Sequence, residues 1–345
     1  MSRKLITIST IMTLMSTSVI ADVPNVAADI APIHSLVSRV MDGVGAPKLI
    51  VQSGASPHGY RLRPSEAKAL QDADHVFWMG EELTPWLDSA IGTLASKASV
   101  TTLLDQQGVI LHDFREGALF EAHDHSAHGD DDHDDHDDHK DHDDHKDHDD
   151  HDDHDDHDDH DDHDDHDDHD DHDDHGSHDP HAWLSPENAK LWLNIIASKL
   201  SVSDPENAAT YFMNAAAGQA EIEAMIAEVS ATLKPVQGGK FVVFHDAYQY
   251  FENDFDFYAS GAISLADSSD PSPARIEKVQ KRIRDEGIQC VLAEPQFKKG
   301  LVATVMEGSD ATASVIDPLG AELETGPKLY TRLIKNMAKT LRNCL

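Results

Sequence analysis

Apolar residues along this chain fall into short blocks separated by polar turns, and successive blocks alternate between two periods. Asn25 to Ile30, Lys48 to Gln52, His75 to Met79 and Val100 to Leu104 are brief apolar runs of strand length. Between them, Ile33 to about Met41, Arg63 to Gln71 and Thr84 to Ala95 place apolar residues at helical spacing. Pro64-Ser65-Glu66 supplies the start of the second of these helices. Further on, Pro186 stands in the first turn of a helix reaching about Leu200.

Asp204-Pro205-Glu206 then opens a stretch rich in Ala, Glu and Gln that runs to Leu233. As one helix it would span about 43 Å, longer than a globular helix usually runs, and such a rod suits a strut between two lobes. The alternation resumes beyond it. Strand Lys240 to Phe244, helix Ala247 to Phe251, helix Pro273 to Glu286 and strand Cys290 to Ala293 are followed by a helix near Gly300 to Glu307. Strand Ala313 to Ile316 and helix Lys328 to Arg342 close the chain. Strands that alternate with helices predict an α/β protein: two lobes, each a parallel sheet flanked by helices, joined by one long rigid helix. The expected divisions are an N-terminal lobe over 22–203, a linking helix over 204–235 and a C-terminal lobe over 236–345.

Two segments stand outside this pattern. At the N-terminus, Arg3 and Lys4 precede an uncharged apolar run from Leu5 to Ile20, and Val19-Ile20-Ala21 offers small residues for cleavage. The run is short for a membrane span, so it reads as a secretory signal peptide covering residues 1–21. With no Cys after it, lipidation is not expected, and the product is an exported protein that does not insert in a membrane.

The second segment is a tract of low complexity over about 121–179. From His133 to His175 a His recurs at every third position, fifteen in all, mostly separated by Asp-Asp. Residues 121–180 hold 31 Asp and one Glu against two Lys, so most of the net charge of −38 resides there. Such a tract has almost no apolar surface to offset the entropy of ordering and reads as a disordered insertion in a surface loop. The charge excludes nucleic acid as a partner, because no basic stripe exists and the tract repels phosphate. Dense His and Asp are expected to bind divalent cations, gathering zinc for a tighter site or sensing its abundance.

The only cysteines are Cys290 and Cys344. In an oxidising compartment an isolated pair reads as a disulfide, here between the C-terminus and a strand; two soft metal ligands are the alternative. No C-x-x-C redox motif is present.

Four residues lie where a strand gives way to a loop. His58 sits in Gly54-Ala55-Ser56-Pro57-His58-Gly59-Tyr60 and His181 in Asp179-Pro180-His181-Ala182-Trp183. His245 follows Phe241-Val242-Val243-Phe244, and Asp317 follows Ser314-Val315-Ile316. Ligands of open α/β sheets collect beyond the carboxyl ends of strands, and each half contributes two of these groups, so a cleft could gather all four. Three imidazoles and one carboxylate suit tetrahedral Zn²⁺, whereas a harder ion favours more oxygen.

The segments GASPHGY, DPHAWLSPENA, FVVFHDAYQYF, CVLAEPQF and VIDPLGAE, with a charged His-rich insertion before the second, run in one order along the chain. In this the sequence resembles the zinc-specific solute-binding proteins of ABC transporters, the ZnuA type of the cluster A-I metal-binding family. The resemblance implies two α/β lobes with a metal held between them, and metal ligands at His58, His181 and His245. Manganese-binding relatives carry Glu at the third position, so His245 implies zinc. Asp317 matches the carboxylate position, a place that water or a nearby Glu takes in some zinc members. Glu before the first ligand His is one such option, and Pro57 removes it, leaving Asp317 or water. Cys290 and Cys344 match the family disulfide.

The function implied is zinc capture in the periplasm, by a monomer, and delivery to the membrane permease of an ABC importer. Zn²⁺ is then a transported ligand, and the protein is not an enzyme. A periplasmic zinc buffer or metallochaperone without a transporter, a zinc hydrolase and a surface adhesin are the competing readings. The hydrolase lacks an H-E-x-x-H motif and any plain general base beside the three His; Asp246 reads equally well as a cap for the next helix. His34 and His75 read as structural, His112 lies near the insertion and could join it, Trp183 and Tyr60 read as packing around the site, and Glu294 as a supporting residue or a permease contact.

Overall fold

A computed structural model describes residues 23–115, 178–264, 271–296 and 299–345. The signal-peptide expectation for 1–21 and nearly all of the His/Asp tract lie outside the described residues. The first half holds β1 (Val26–Ala28), α1 (Ala31–Val40), β2 (Lys48–Leu49), α2 (Pro64–Gln71), β3 (His75–Trp78), α3 (Pro85–Leu94) and β4 (Ser99–Thr102). After the insertion come α4 (Pro186–Ser203) and α5 (Ala208–Leu233). The second half holds β5 (Phe241–His245), α6 (Gln249–Phe255), β6 (Ala262–Ser264), α7 (Pro273–Glu286), β7 (Cys290–Ala293), α8 (Lys299–Met306), β8 (Thr312–Val315) and α9 (Leu329–Cys344).

The strands form two four-stranded sheets, ordered β2-β1-β3-β4 and β6-β5-β7-β8, parallel throughout. The two halves therefore repeat one topology. In each, the order reverses between the two central strands, β1 and β3 or β5 and β7, and that reversal opens a crevice at their carboxyl ends.

Burial follows the pleat. Along β5, Phe241 and Val243 face one side, while Val242 and Phe244 face the other, and all four are buried. The first face joins a core continuous through both halves, with α1, α4, α5, α6 and α9. The second packs on α7 and α8, and the corresponding outer face of the first sheet packs on α2 and α3. A sheet covered on both faces explains why its strands read as unbroken apolar runs.

Helix α5 has 26 residues, about 39 Å of rod. It buries Tyr211, Ala215, Gly218, Ile222, Met225, Val229 and Leu233, a stripe of three- and four-residue steps that packs on α1, α4 and α9. At Gly218 a Cβ would stand 2.9 Å from Leu193 Cδ1 and 3.1 Å from Arg39 Cγ, so any larger residue there would make those side chains shift. The rod begins at Ala208 and not at Asp204 as expected from the sequence. Asp204 precedes a proline and adopts φ −131°, ψ 72°, which ends α4 at Ser203 and inserts a turn. The Tyr211 hydroxyl donates to buried Asp204 at 2.7 Å and anchors that turn.

Strand β6 was not expected from the sequence. Three residues, Ala262-Ile263-Ser264, carry no periodicity of their own, and pairing to β5 makes them a strand. The Cys290–Cys344 disulfide joins β7 to the last turn of α9 with a Cα separation of 5.6 Å. Among the described residues no helix is long and apolar enough to cross a membrane.

Candidate metal centre

The site forms at the carboxyl ends of the strands. His245 is the last residue of β5, and the run Phe241 to Phe244 fixes it at the crevice of the second sheet. His58 lies in the loop after β2, where the Trp86 indole N–H donates to the Pro57 carbonyl at 2.7 Å. The Tyr60 hydroxyl donates to Glu66 at 2.8 Å and ties the far side of that loop to α2. His181 precedes a single 3-10 turn, Ala182–Leu184.

These three imidazoles come together. One ring nitrogen of each lies within 4.8 Å of the others, the one such group of His, Cys, Asp and Glu among the described residues. Ring centroids are 5.5 Å apart for His58 and His181, 6.5 Å for His58 and His245, and 5.2 Å for His181 and His245. They line a cavity of about 10 Å³, the size of one water or one ion.

Two buried carboxylates orient the pair that meets across the halves. Asp179 Oδ1 accepts from the His181 backbone N–H at 2.9 Å and lies 2.6 Å from His181 Nδ1. Glu294, directly after β7, places Oε1 2.6 Å from His245 Nδ1. Carboxylates only accept, so in both rings Nδ1 carries the proton and the lone pair of the neutral ring is on Nε2. The two Nε2 atoms then face each other at 3.3 Å. Two lone pairs at that distance repel unless a cation lies between them. A zinc ion holding two imidazole nitrogens at about 2.0–2.1 Å in tetrahedral geometry separates them by about 3.3–3.4 Å. The donor types, and the spacing of this pair, therefore fit this ion.

Asp317 is not brought into the group. Its Oδ1 accepts from Leu319 N at 3.0 Å and Gly320 N at 2.9 Å, and its Oδ2 from Ala321 N at 2.6 Å, so the carboxylate staples its own loop. Trp183 packs its ring 5.2 Å from His181 and donates its indole N–H to the Pro318 carbonyl at 2.8 Å, joining the halves above the cavity. The Tyr330 hydroxyl on α9 donates to the Trp183 carbonyl at 2.9 Å and adds a second tie.

Arg115 makes a further link between the halves. Its guanidinium pairs with Asp246 and, at 2.6 Å, with Glu252. Burial pushes both carboxyls up, Glu252 to about 7, and the guanidinium opposes that shift. Asp246 thus pairs with Arg115, and α6 starts after Tyr248, so the capping role suggested by its position does not apply. Asp113 and His178, on either side of the insertion, form an isolated bridge, and the Asp179 N–H donates to the His112 carbonyl at 2.7 Å. The bond from His112 fixes the backbone of Asp179, whose carboxylate faces His181.

His34 and His75 are held within the fold, His34 Nε2 at 3.2 Å from the Pro47 carbonyl and His75 Nε2 at 2.7 Å from Ser203 Oγ. The bracing role of Asp179 has a sequence signal, its two-residue spacing from His181. Glu294 takes a supporting place as its sequence position suggested, but its partner His245 lies 49 residues away and local spacing does not name it.

Two parallel-sheet halves fastened across a cleft, with three imidazoles closing on a space for one ion, define a two-lobed binding protein of the solute-binding class. Residues 26–344 match the family described as "ZnuA: Zinc-uptake complex component A periplasmic", and the chain belongs to this family. It is 48% identical over 320 residues to the high-affinity zinc uptake system protein ZnuA of Brucella abortus (strain 2308), covering 93% of this chain and 91% of that protein. Against the protein of the same description from Paracoccus denitrificans (strain Pd 1222), identity is 44% over 326 residues, with 94% and 93% covered. A crystal structure described as ZnuA shares the fold with a TM-score of 0.66 at 20% identity, over 94% of this chain and 99% of that one.

Proposed function

We propose that this chain captures zinc in the periplasm and delivers it to the permease of an ABC importer, with His58, His181 and His245 as its protein ligands. The observation that carries the reading is the pair of Nε2 atoms 3.3 Å apart, each on a ring whose Nδ1 faces a buried carboxylate. The zinc uptake role belongs by name to relatives nearly half identical over nine-tenths of the chain. Residues 22–203 and 236–345 act as the two lobes, with α5 and its flanks, 204–235, as the rigid element between them. The signal segment 1–21 directs export, and the His/Asp tract gathers zinc.

The site is built to hold rather than to react. A catalytic zinc keeps an open position and a general base beside it. Here Asp179 and Glu294 face the Nδ1 side of their rings, away from the Nε2 atoms, and so serve as braces in place of a base beside the ion. Both carboxylates also compensate the charge of the bound dication, which a buried site needs if the ion is to be left without water.

Competitive zinc titration on the exported protein and on a form lacking residues 121–179 tests the proposal. One tight site in both, weak sites only in the intact form, and loss of the tight site in His245→Ala are the expected results. Because each Nε2 must be unprotonated to bind, affinity should fall as pH drops through the histidine range. If the tight site disappears with the tract, the cleft is not the capture site and the chain is a zinc buffer.

A further inference from the structure

The cations of α9 are segregated on one face. Lys328 stands at its N-cap, and Arg332, Lys335, Lys339 and Arg342 follow along a helix that contains no acidic residue. At 3.6 residues per turn, all five fall within an arc of about 80°, along about 21 Å of rod. Lys328, Arg332, Lys339 and Arg342 are exposed, and Lys335 is partly so. The opposite face, from Leu329 to Leu341, is buried in the core, and the disulfide at Cys344 ties the last turn to β7. The row of charge therefore stands on a fixed support.

A solvated helix face ordinarily mixes its charges. Helix α7 does so, with Lys281 paired to Asp285 and Arg282 to Glu286, each one turn further on. Along α9 each cation instead follows the last by three or four residues, so every step sets like charges side by side and weakens the helix. The helix dipole favours Lys339 and Arg342 near the C-terminus, but it disfavours Lys328 and Arg332 at the other end. Among the described residues one carboxylate pairs with the row, Glu228 of α5, which takes Lys335 and lies near Lys339. In a chain of net charge −38, this face is an exception that neither the dipole nor pairing within the fold explains.

We propose that the exposed face of α9 docks on an anionic phospholipid surface and holds the protein against the membrane that carries its permease. Charge complementarity selects the partner. Cations confined to one narrow arc of a straight rod reach a plane of phosphates together, a geometry that suits a flat surface better than a pocket. The apolar face of α9 is already used by the core, so nothing is left to enter hydrocarbon, and the contact is peripheral, reversible and screened by salt. Held in this way, the protein meets its permease by moving in the plane of the membrane. The inference goes beyond zinc capture and does not depend on which residues hold the ion.

The test is co-sedimentation of the full exported chain with vesicles of phosphatidylcholine and with vesicles of phosphatidylcholine and phosphatidylglycerol in equal amounts, at low and at high salt. Its variants are Arg332→Gln/Lys339→Gln/Arg342→Gln on α9 and, as a control that removes as many cations, Lys278→Gln/Lys281→Gln/Arg284→Gln on α7. All six residues are exposed, and melting curves with zinc stoichiometry check that each fold is intact. The wild type should bind the anionic vesicles alone and leave them at high salt. The α9 variant should bind them about 100-fold more weakly, and the α7 variant much as the wild type does. Equal binding to both kinds of vesicle, no binding at low salt, or an α9 variant that binds as the wild type does would overturn the proposal. If no chain binds vesicles and the α9 variant alone slows zinc transfer to the reconstituted permease, the face reads acidic protein and the lipid assignment falls. Failure of the zinc-site reading is separate: it appears as His245→Ala retaining tight zinc binding, whatever the vesicles show.

Discussion

His181 and His245 meet Nε2 to Nε2 at 3.3 Å although 64 residues separate them, and each turns its Nδ1 to a carboxylate 2.6 Å away. The contact joins the loop that follows the insertion to the central strand of the second sheet. Both rings, and both carboxylates, are almost wholly buried. Each ring is thus braced at Nδ1 in the orientation that turns its Nε2 toward a shared ion.

The two braces should be separable from the ligands they hold. Asp179→Asn and Glu294→Gln keep the shape of the side chain and weaken the acceptor at Nδ1. Each is expected to lower zinc affinity by about 10- to 100-fold while leaving one site per chain. Chelator competition measures the loss, and unchanged affinity in both variants would reduce the carboxylates to packing.

Arg115 neutralises two carboxylates that have almost no access to water, so its removal should be costly. Arg115→Met is expected to destabilise the fold by about 3–5 kcal/mol, read from denaturant unfolding near neutral pH. The sign with pH follows from the carboxyls. Their folded pKa is raised by burial, to about 7 for Glu252, and without the guanidinium it rises further. Raised acids favour the folded state at low pH and cost stability as pH climbs through the folded pKa, so the variant's deficit should be larger at pH 8 than at pH 5.5. A deficit that grows on acidification would refute the assignment.

The disulfide closes a loop with a sequence separation of 54 residues between Cys290 and Cys344. Restricting the unfolded chain over that length is worth about 4 kcal/mol. Cys344→Ser, or reduction of the native protein, should lower stability by about 2–4 kcal/mol while zinc stoichiometry stays at one in the cleft. Thermal melts with and without reductant make the comparison.

His34 gives a pH signature that is independent of the metal. Burial lowers its pKa, although the Pro47 carbonyl opposes the shift. A His held neutral when folded and free to protonate when unfolded stabilises the fold above its unfolded pKa of about 6.5, and that contribution is lost as pH falls below it. The melting temperature of the metal-free wild type should therefore drop relative to His34→Gln between pH 7.5 and 5.5. Parallel curves for the two proteins would show that His34 stays unperturbed.

The sequence alone determined the repeating strand–helix order and the two-sheet α/β class, and it singled out the three imidazoles that the fold gathers. Each of those depends on short-range pattern: strands buried on both faces read as apolar runs, and residues that end such strands collect at one edge of a parallel sheet. Tertiary structure alone decided the rest. Ala262–Ser264 becomes a strand because β5 offers it an edge, and the long helix starts late because Asp204 cannot be helical before Pro205. Asp317 sits at the right end of its strand, but its carboxylate is spent on the N–H groups of its own turn, a choice that strand position cannot reveal. Glu294 reaches His245 across 49 residues and Arg115 reaches Asp246 across 131, and no local periodicity encodes pairings made by the packing of two sheets.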